Sequence, residues 1–438
     1  MLLSTAPQLL LTVAGALRRT AWLAALLPAL AASAAAAAQA EPAPLTLEEA
    51  VRLSLAQSPA VAAAAARLEA ASAGLRGARA PFNPQAELAP GVGFTNGNAL
   101  LSQQIDLGGR RSAQAEAAAG LRQAAEAELR LAQLQSAAET RAAYYDLVRT
   151  RAVEEAARET AELARQLRDA VKRRVEIGEA PLVQQTRAGI ELARAEQDAV
   201  RAAGETRARA ATLNLILGRP ADTAVVPAES LEIPEAPAPR EQLLDRAEQA
   251  RPELAAARAV LAARRGAVAV ARAARRPELF AELAADTWSL DRDPFNSRNL
   301  GLQARLSFPL FDRGRLRAEE DRARAGVREQ EAEVEATRRA VRVEIERAAA
   351  ELTAARQVAQ SYREAILPQT EELLRSTRAG FEAGLTSFLE VLEAQRVVRQ
   401  TRTEYQNALF DAVRARIALD RALGTAPGLA PEPPENPR

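Results

Sequence analysis

The chain has 438 residues with 58 basic and 57 acidic side chains, so its net charge of +1 gives no reason to expect nucleic acid or an acidic partner. It contains neither histidine nor cysteine, which excludes the commonest zinc and haem ligands, Ser-His-Asp and Cys-His catalysis, and disulfides. No motif marks any acidic residue as catalytic or metal-binding. We therefore expect a protein that is not an enzyme and that holds no cofactor or metal ion.

The N-terminal residues have the features of an export signal. Arg18 and Arg19 precede a short apolar run, and Ala38-Gln39-Ala40 fits a cleavage site before Glu41. A transmembrane anchor is the alternative, but the apolar run is shorter than the ~20 residues that a span needs. We predict a signal peptide over 1–40 and, since no cysteine is available for acylation, a mature protein that is not a lipoprotein.

The rest of the chain is an internal repeat. Three glycines recur in its second half, and the paired glycines are Gly109 and Gly314, Gly178 and Gly384, and Gly218 and Gly424. The first pair is 205 residues apart and the other two pairs are 206 residues apart, which predicts two structural copies. We place the first repeat at 41–226, a proline-rich linker at 227–239, the second repeat at 240–425 and a disordered C-terminal tail at 426–438.

Each repeat is predicted to contain a helix, a β-hairpin, a long helix, a turn and a returning helix. The first helix begins at Thr46, which is expected to form a capping box with Glu49, and Pro59 interrupts it. The long helices cover about 110–177 and 315–383, which is roughly 100 Å each at ~1.5 Å per residue.

Both helices after the second hairpin carry a heptad pattern. Apolar or small residues recur at alternating steps of four and three from Val341 to Ile366, and again from Val391 to Ala412. This spacing predicts long coiled-coil hairpins whose helices pack left-handedly against their neighbours. An ordinary rod-like coiled coil is the alternative to a wall of packed helices.

Two β-hairpins are predicted, and Asn96-Gly97 is a two-residue turn signal in the first of them. The return strand of the second hairpin alternates in polarity over about ten residues. Its apolar side carries Leu302, Leu306 and Phe308, and its polar side carries Gln303 and Arg305. This pattern fits a transmembrane strand with the apolar side toward lipid and the polar side toward a lumen. A strand half-buried on a soluble domain is the alternative. Since about eight strands is the practical minimum for a barrel, four strands in a membrane would require an oligomer.

Several short motifs occur in a defined order and are partly duplicated. They are Leu45–Ala50 with Ser58-Pro59, Asp106–Arg110, Phe311–Arg315, and Gly384–Ser387 with Ala394-Gln395. Together they resemble the TolC family of outer-membrane efflux proteins over about 45–425. The resemblance implies a mainly α-helical homotrimer, in which a 12-stranded β-barrel is continuous with an α-helical tunnel.

The resemblance also implies a location and partners. The protein would lie in the bacterial outer membrane, contact its lipid and extend into the periplasm, as a passive conduit of a tripartite efflux or secretion system. Its partners would be a periplasmic adaptor protein and an inner-membrane transporter, with no nucleic acid. A periplasmic coiled-coil adaptor or structural protein is the alternative. The cargo stays open among metal ions, drugs, solvents and proteins.

The turns at Gly178 and Gly384 would form the tip that docks the adaptor. The implied docking residues are Arg174, Gly178, Glu179, Gly384, Leu385, Thr386 and Ser387. Two positions depart from the family pattern, since Gly380 stands where a basic residue is common and Pro181 stands where serine is common.

Pro368 interrupts the heptad of the second long helix, whereas its counterpart in the first repeat is Glu162. We expect a kink at Pro368 and a weaker seam beyond it, beginning with the polar Gln369. Two interpretations stay open. The kink either bends the wall inward to taper the tube, or lets the second-repeat hairpin swing outward as a gate while the first-repeat hairpin stays in place.

Overall fold

The computed structural model describes most of the chain, in the ranges 44–89, 98–286 and 300–426. The predicted signal peptide at 1–40, the predicted turn at Asn96-Gly97 and all but the first residue of the predicted tail lie outside the described residues. No helix within the described ranges is both long enough and apolar enough to cross a membrane.

The first repeat is made of two short helices, two strands and two longer helices. Its elements are α1 (Leu47–Gln57), α2 (Pro59–Arg79), β1 (Gln85–Ala89), β2 (Asn98–Ile105), α3 (Arg110–Glu176) and α4 (Leu182–Ile216).

The second repeat follows the same order, with one interruption in its long helix. Its elements are α5 (Arg240–Ala250), α6 (Pro252–Ala273), β3 (Glu278–Asp286), β4 (Leu300–Ser307), α7 (Arg315–Ser361), a π-helix (Tyr362–Ile366), α8 (Leu367–Glu382) and α9 (Phe388–Ala422).

Helix starts follow local chemistry with one correction. Thr46 Oγ1 accepts a hydrogen bond from Glu49 N–H at 3.3 Å, which is half of the predicted capping box. Among the described residues, the reciprocal pair of bonds is seen instead between Ser387 and Glu390, at the start of α9. The N-cap hydroxyl marks the helix start in both cases. The reciprocal bond, from the N-cap N–H to the glutamate carboxylate, forms only where the glutamate side chain turns back toward the N-cap.

The paired landmark glycines share one backbone geometry. All six landmark glycines have positive φ, between +67° and +86°. They fall after the hairpins, at the two turns between long and returning helices, and at the ends of the returning helices. Glycine adopts this conformation without the steric penalty of a Cβ atom, so each landmark marks a reversal or a helix end.

The helices form four columns side by side. α3 packs against α1, α2 and α4 of its own repeat and against α6 and α9 of the second repeat. α7 packs against α5, α6 and α9. The short opening helices and the returning helix of each repeat therefore share one column beside the long helix.

The seams between columns are buried as the heptads predict. Fully or nearly fully buried positions of α7 include Val341, Ile345, Ala348, Leu352 and Ala359, and those of α9 include Val391, Ala394, Val398, Thr401, Ala408 and Ala412. In the first repeat, a cluster around Tyr144, Leu147 and Leu213 fills the place where α1 begins and α4 ends against α3.

The four strands form one antiparallel sheet in the order β1-β2-β3-β4. Ala89 pairs with Asn98 in the first hairpin. β1 and β4 are the edges, and their outer hydrogen-bonding groups need a partner or water.

Candidate functional site

The sheet has one apolar face and one polar face, set by the strand register. The apolar face carries Ala86, Leu88, Leu101, Ile105, Leu279, Leu283, Leu302, Ala304 and Leu306. The polar face carries Gln85, Ser102, Gln104, Glu278, Phe280, Glu282, Gln303 and Arg305. The predicted division of β4 therefore extends across most of the sheet, although Gln103 lies on the apolar face and Leu100 on the polar face. One predicted residue lies outside the strands. Phe308 is not in the strand, because β4 ends at Ser307.

A buried carboxylate organises the polar face. Glu282 is 2% exposed, and its Oε1 accepts a hydrogen bond from Arg305 Nε at 2.6 Å. Its Oε2 accepts another from Gln303 Nε2 at 3.0 Å. The guanidinium of Arg305 also lies 4.6 Å from the ring centroid of Phe280. The two side chains predicted for the lumen are thus brought together by a third, on the neighbouring strand.

Each long helix begins at an aspartate that follows the hairpin. Asp106 accepts hydrogen bonds from the N–H groups of Arg110 and Arg111, at 3.0 and 2.9 Å. Asp312 accepts from Gly314 at 3.1 Å and Leu316 at 2.9 Å. These amides hold the pKa of Asp312 below its usual value. For Asp106, partial desolvation raises the pKa, but the backbone amides outweigh it and the net pKa is lowered.

The second tip, defined here as 380–387, is fixed by its own backbone and hydroxyl groups. Gly380 O accepts hydrogen bonds from Leu385 N–H at 2.7 Å and Thr386 N–H at 3.2 Å. Thr386 Oγ1 donates to Thr377 O at 2.9 Å. A Cβ added at Gly380 would lie 2.6 Å from Thr386, which accounts for the absence of a long basic side chain there.

Leu385 is the exposed large apolar residue of the second tip, at 84% exposure. Ser387 accepts from Glu390 N–H and is occupied as the N-cap of α9. Thr386 and Ser387 therefore shape the turn, and Leu385 is the predicted docking residue left free to contact a partner.

The first tip, defined here as 174–182, presents Ile177, Leu182 and Glu179 at its surface. Arg174 O accepts a hydrogen bond from Glu179 N–H at 2.8 Å, which closes the turn before Pro181. The guanidinium of Arg174 lies 4.9 Å from the ring centroid of Phe381, on α8 of the second repeat. Arg174 is thus held against the other hairpin.

The two tips share a small core. Val171 and Ala188 of the first repeat pack with Phe388 of the second, and all three are buried. Partly buried Phe381 and Leu392 pack against this cluster. Because of these contacts, the second-repeat hairpin cannot move away from the first without separating apolar surfaces.

The irregularity predicted at Pro368 lies one turn earlier in the structure. Residues Tyr362–Ile366 form a π-helix, and Leu367 N–H bonds to Tyr362 O. Gln369 is exposed and does not continue the seam, while Thr370 and Thr377 are buried. The wider π turn contains one additional residue, so the seam shifts by one position and continues.

Glu282, Phe381 and the π-helix are features of the site that the sequence patterns above do not predict. The alternation of Glu278, Phe280 and Glu282 with apolar residues along β3 could have revealed Glu282. The change of the repeat offset from 205 to 206 between the first two glycine pairs shows that the second repeat has one extra residue between them. No sequence pattern marks Phe381 as the partner of Arg174.

No group of acidic residues capable of holding a metal ion occurs in the described ranges of the chain. The described site is therefore a set of surfaces: an amphipathic sheet at one end of the columns and two joined turns at the other.

Comparison with known proteins agrees with this arrangement. The sequence pattern of the family described as outer membrane efflux protein matches residues 50–219 and 243–425. The chain is 29% identical over 393 residues to the cobalt-zinc-cadmium resistance protein CzcC of Cupriavidus metallidurans. The aligned region covers 87% of this chain and 90% of CzcC. It is 30% identical over 405 residues to the protein CyaE of Bordetella pertussis, covering 87% of this chain and 85% of CyaE.

Solved structures show the same fold. CusC aligns with a TM-score of 0.73 at 21% identity, over 87% of this chain and 92% of CusC. VceC of Vibrio cholerae aligns with a TM-score of 0.71 at 22% identity, over 86% of this chain and 96% of VceC. Since the family pattern spans most of both repeats, the chain belongs to the outer membrane efflux protein family and is an outer-membrane channel component of an efflux system.

Proposed function

We propose that three copies of the chain assemble into one passive conduit, in which the three sheets close a 12-stranded barrel and the helical columns form a tunnel below it. The observation that carries this proposal is a pair of exposed stripes of small residues, on α7 and α2. They correspond in the repeat to the stripes of α3 and α6 that pack together inside the chain. The chain has no cysteine for acylation, so the barrel strands would hold it in the outer membrane.

The contact inside the chain joins the two repeats closely. A Cβ added at Gly120 of α3 would lie 2.6 Å from the backbone nitrogen of Ala263 and 2.9 Å from the carbonyl oxygen of Ala259, both on α6. Ala113, Gly120 and Ala127 form the buried stripe of α3.

The counterparts of these residues lie on the two outer columns. With the offset of 205, the stripe of α3 corresponds to Ala318, Ala325 and Ala332 of α7, and all three are exposed. Pro59 and Pro252 are 193 residues apart, so Ala259 and Ala263 of α6 correspond to Ala66 and Ala70 of α2, which are also exposed. Packing α7 of one subunit against α2 of the next would repeat the internal contact and bury both stripes.

Cysteine cross-linking tests this arrangement without background, because the chain has no native cysteine. The double variant Ala70→Cys/Ala325→Cys is expected to give a covalent trimer on a denaturing gel after oxidation in membranes. The control Ala64→Cys/Ala325→Cys is expected to give none, because Ala64 is buried within its own chain. Absence of the covalent trimer in the first variant would contradict the proposed ring.

The orientation of the sheet follows from its two faces. The apolar face would contact outer-membrane lipid through Leu302 and Leu306, and Gln303 and Arg305 would face the lumen. Arginine on a lipid-facing strand near the membrane centre costs about 2–4 kcal/mol. Leu302→Arg should therefore reduce assembled trimer, whereas Gln303→Arg should mainly change conductance. Equal tolerance of both substitutions in a heat-modifiability assay would argue against a membrane sheet.

The tips would contact a periplasmic adaptor protein, and the adaptor would connect the conduit to an inner-membrane transporter. Opening at this end would require movement of the second-repeat hairpin, and the shared core of Val171, Ala188 and Phe388 must then separate or move as one body. Disulfide locks between neighbouring second tips should block conductance reversibly, and locks between first tips should matter less. Equal effects of both locks would favour the tapering interpretation.

The cargo is not assigned by similarity. CzcC is named for resistance to cobalt, zinc and cadmium, and OpmQ of Pseudomonas aeruginosa, which is 33% identical over 230 residues, is named for pyoverdine export. These names favour a shared conduit whose cargo is selected elsewhere in each system.

A further inference from the structure

A row of polar residues crosses the whole sheet on its polar face. Gln85, Ser102, Glu282 and Gln303 are in register across the four strands. Glu282 is the charged member of this row. Arg305 lies in the next row toward the helices, opposite Phe280.

Glu282 and Arg305 differ in how far their side chains are exposed to solvent. The Glu282 side chain is 3% exposed, whereas the Arg305 side chain is 56% exposed. Arg305 is fixed between the buried carboxylate and the ring of Phe280, so its guanidinium covers Glu282 and faces the open side of the sheet. A pair that served only to hold two strands together would not need its cation at the surface.

The other described charged residues of the polar face are acidic, so neither of them supplies an exposed cation. Glu278 is bonded to Arg110 at 2.9 Å, at the edge nearest the helices. Glu87 on β1 is exposed and carries a single negative charge. Among the described residues of the polar face, Arg305 is therefore the exposed cation, and Glu282 is the anion that compensates it.

We propose that the Glu282–Arg305 pair determines the charge selectivity of the barrel, by presenting a fixed cation whose charge is cancelled by a carboxylate buried beneath it. The proposal rests on the proposed function, because it requires the polar face to line a lumen. In a trimer the three pairs would form a ring that adds little net charge to the lumen. Loss of either partner would leave three uncompensated charges in a confined space, where they alter the local concentration of ions.

Ion selectivity of purified channels in planar bilayers tests the proposal through the reversal potential in a potassium chloride gradient. Glu282→Gln should shift the cation-to-anion permeability ratio toward chloride, and Arg305→Gln should shift it toward potassium. We expect each shift to be roughly threefold or more, because the potentials of such fixed charges are on the order of kT or larger. The double variant Glu282→Gln/Arg305→Gln should return close to the wild-type ratio.

A second arm separates charge from folding, because it compares the same assembled channel before and after modification. Arg305→Cys would be the single cysteine of the chain, and it can be modified after the channel has assembled. A cationic methanethiosulfonate should restore the wild-type ratio, and an anionic one should increase potassium preference further. Unchanged selectivity in conducting Glu282→Gln and modified Arg305→Cys channels would overturn the proposal. Absence of any conductance from the wild-type protein would instead contradict the proposed function.

Discussion

Tyr144 illustrates how one buried side chain joins distant parts of the chain. Its hydroxyl lies within hydrogen-bonding distance of two acceptors, Leu45 O at 2.8 Å and the Glu229 carboxylate, which share its one proton, and it accepts from Ala228 N–H at 3.0 Å. Burial, followed by the hydrogen bond to Glu229, raises the pKa of Tyr144 well above its usual value, so the hydroxyl stays protonated. It thereby ties the start of α1 and the linker to the middle of α3.

Tyr144→Phe should lower the free energy of unfolding by about 1–3 kcal/mol, because buried polar partners lose their hydrogen bond. The measurement is the thermal unfolding of the purified protein. Tyr145→Phe is the control, since the Tyr145 hydroxyl makes no hydrogen bond to a described residue. Equal stability of the two variants would show that the Tyr144 network contributes nothing.

Asp312 connects stability to pH at the start of α7. Its pKa is lowered by the amides of Leu316 and Gly314, so the folded state favours the ionised form. The stabilisation is complete above the usual pKa of 3.8 and is lost as the pH falls through the lower pKa of the folded state. Asp312→Asn should therefore melt at a lower temperature than wild type at pH 7, and the difference should shrink below pH 3.8. A difference independent of pH would rule out the carboxylate charge as its cause.

At the scale of elements, the contact between α3 and α6 depends on glycine. Gly120→Ala would place a methyl group against backbone atoms of Ala259 and Ala263, which cannot move aside as a side-chain end could. We expect destabilisation by about 1–3 kcal/mol, as for other overpacked sites. The control is Gly326→Ala on α7, where the nearest atom is Arg264 Cδ at 4.0 Å. Thermal unfolding of both variants measures the difference, and a tolerated Gly120→Ala would contradict the close approach.

The π-helix explains how Pro368 is accommodated. Proline has no N–H for the carbonyl four residues back, and a π turn shifts the bonding pattern by one residue immediately before it. α3, which has no such turn, is an uninterrupted helix of 67 residues. The extra residue of the second repeat is therefore located at Tyr362–Ile366.

In the Pro368→Ala background, deleting Glu364, an exposed residue of the π-helix, should convert this segment to a regular α-helix without loss of assembly. Thr370 and Thr377 would then occupy regular heptad positions and remain on the seam. Deleting Arg158, its counterpart in α3, should greatly reduce assembled protein, because every later side chain would rotate by about 100° away from its partners. If the π turn is the hinge of a gate, the Glu364 deletion should also lower the open fraction in bilayer recordings. Loss of assembly in both deletions would contradict the assignment of the extra residue.

For the whole molecule, the exposed tips and the amphipathic sheet lie at opposite ends of the same columns. Leu385→Glu should abolish efflux while the amount of trimer stays normal, because a charge would replace the most exposed apolar residue of the second tip. Glu371→Gln, on the side of α8, is a control for general effects of charge in this hairpin. Ser387→Ala is a poorer test, since losing an N-cap costs about 0.5–2 kcal/mol by itself. Transport that survives Leu385→Glu would show that the second tip is not the docking surface.

The family, the two repeats and most helix bounds could be predicted from the sequence. Gly178 and Gly384 mark the turns because positive φ strongly favours glycine, and Val341 to Ala359 mark the seam because heptad spacing is local. The alternating polarity of β4 could also be predicted from the sequence, except that Phe308 lies beyond the strand. The docking roles of the tip residues remain predictions.

The sequence by itself therefore determined the features that depend on neighbours a few residues away. These are the helix ends, the turns, the periodic faces and the one extra residue of the second repeat. Only the tertiary structure decided which distant side chains meet. Glu282 pairs with Arg305 because the register of β3 and β4 places them on one face, and Arg174 meets Phe381 because the two hairpins pack together. The extra residue is absorbed as a π turn because the packing of α7 and α8 against α9 holds the seam on both sides of it.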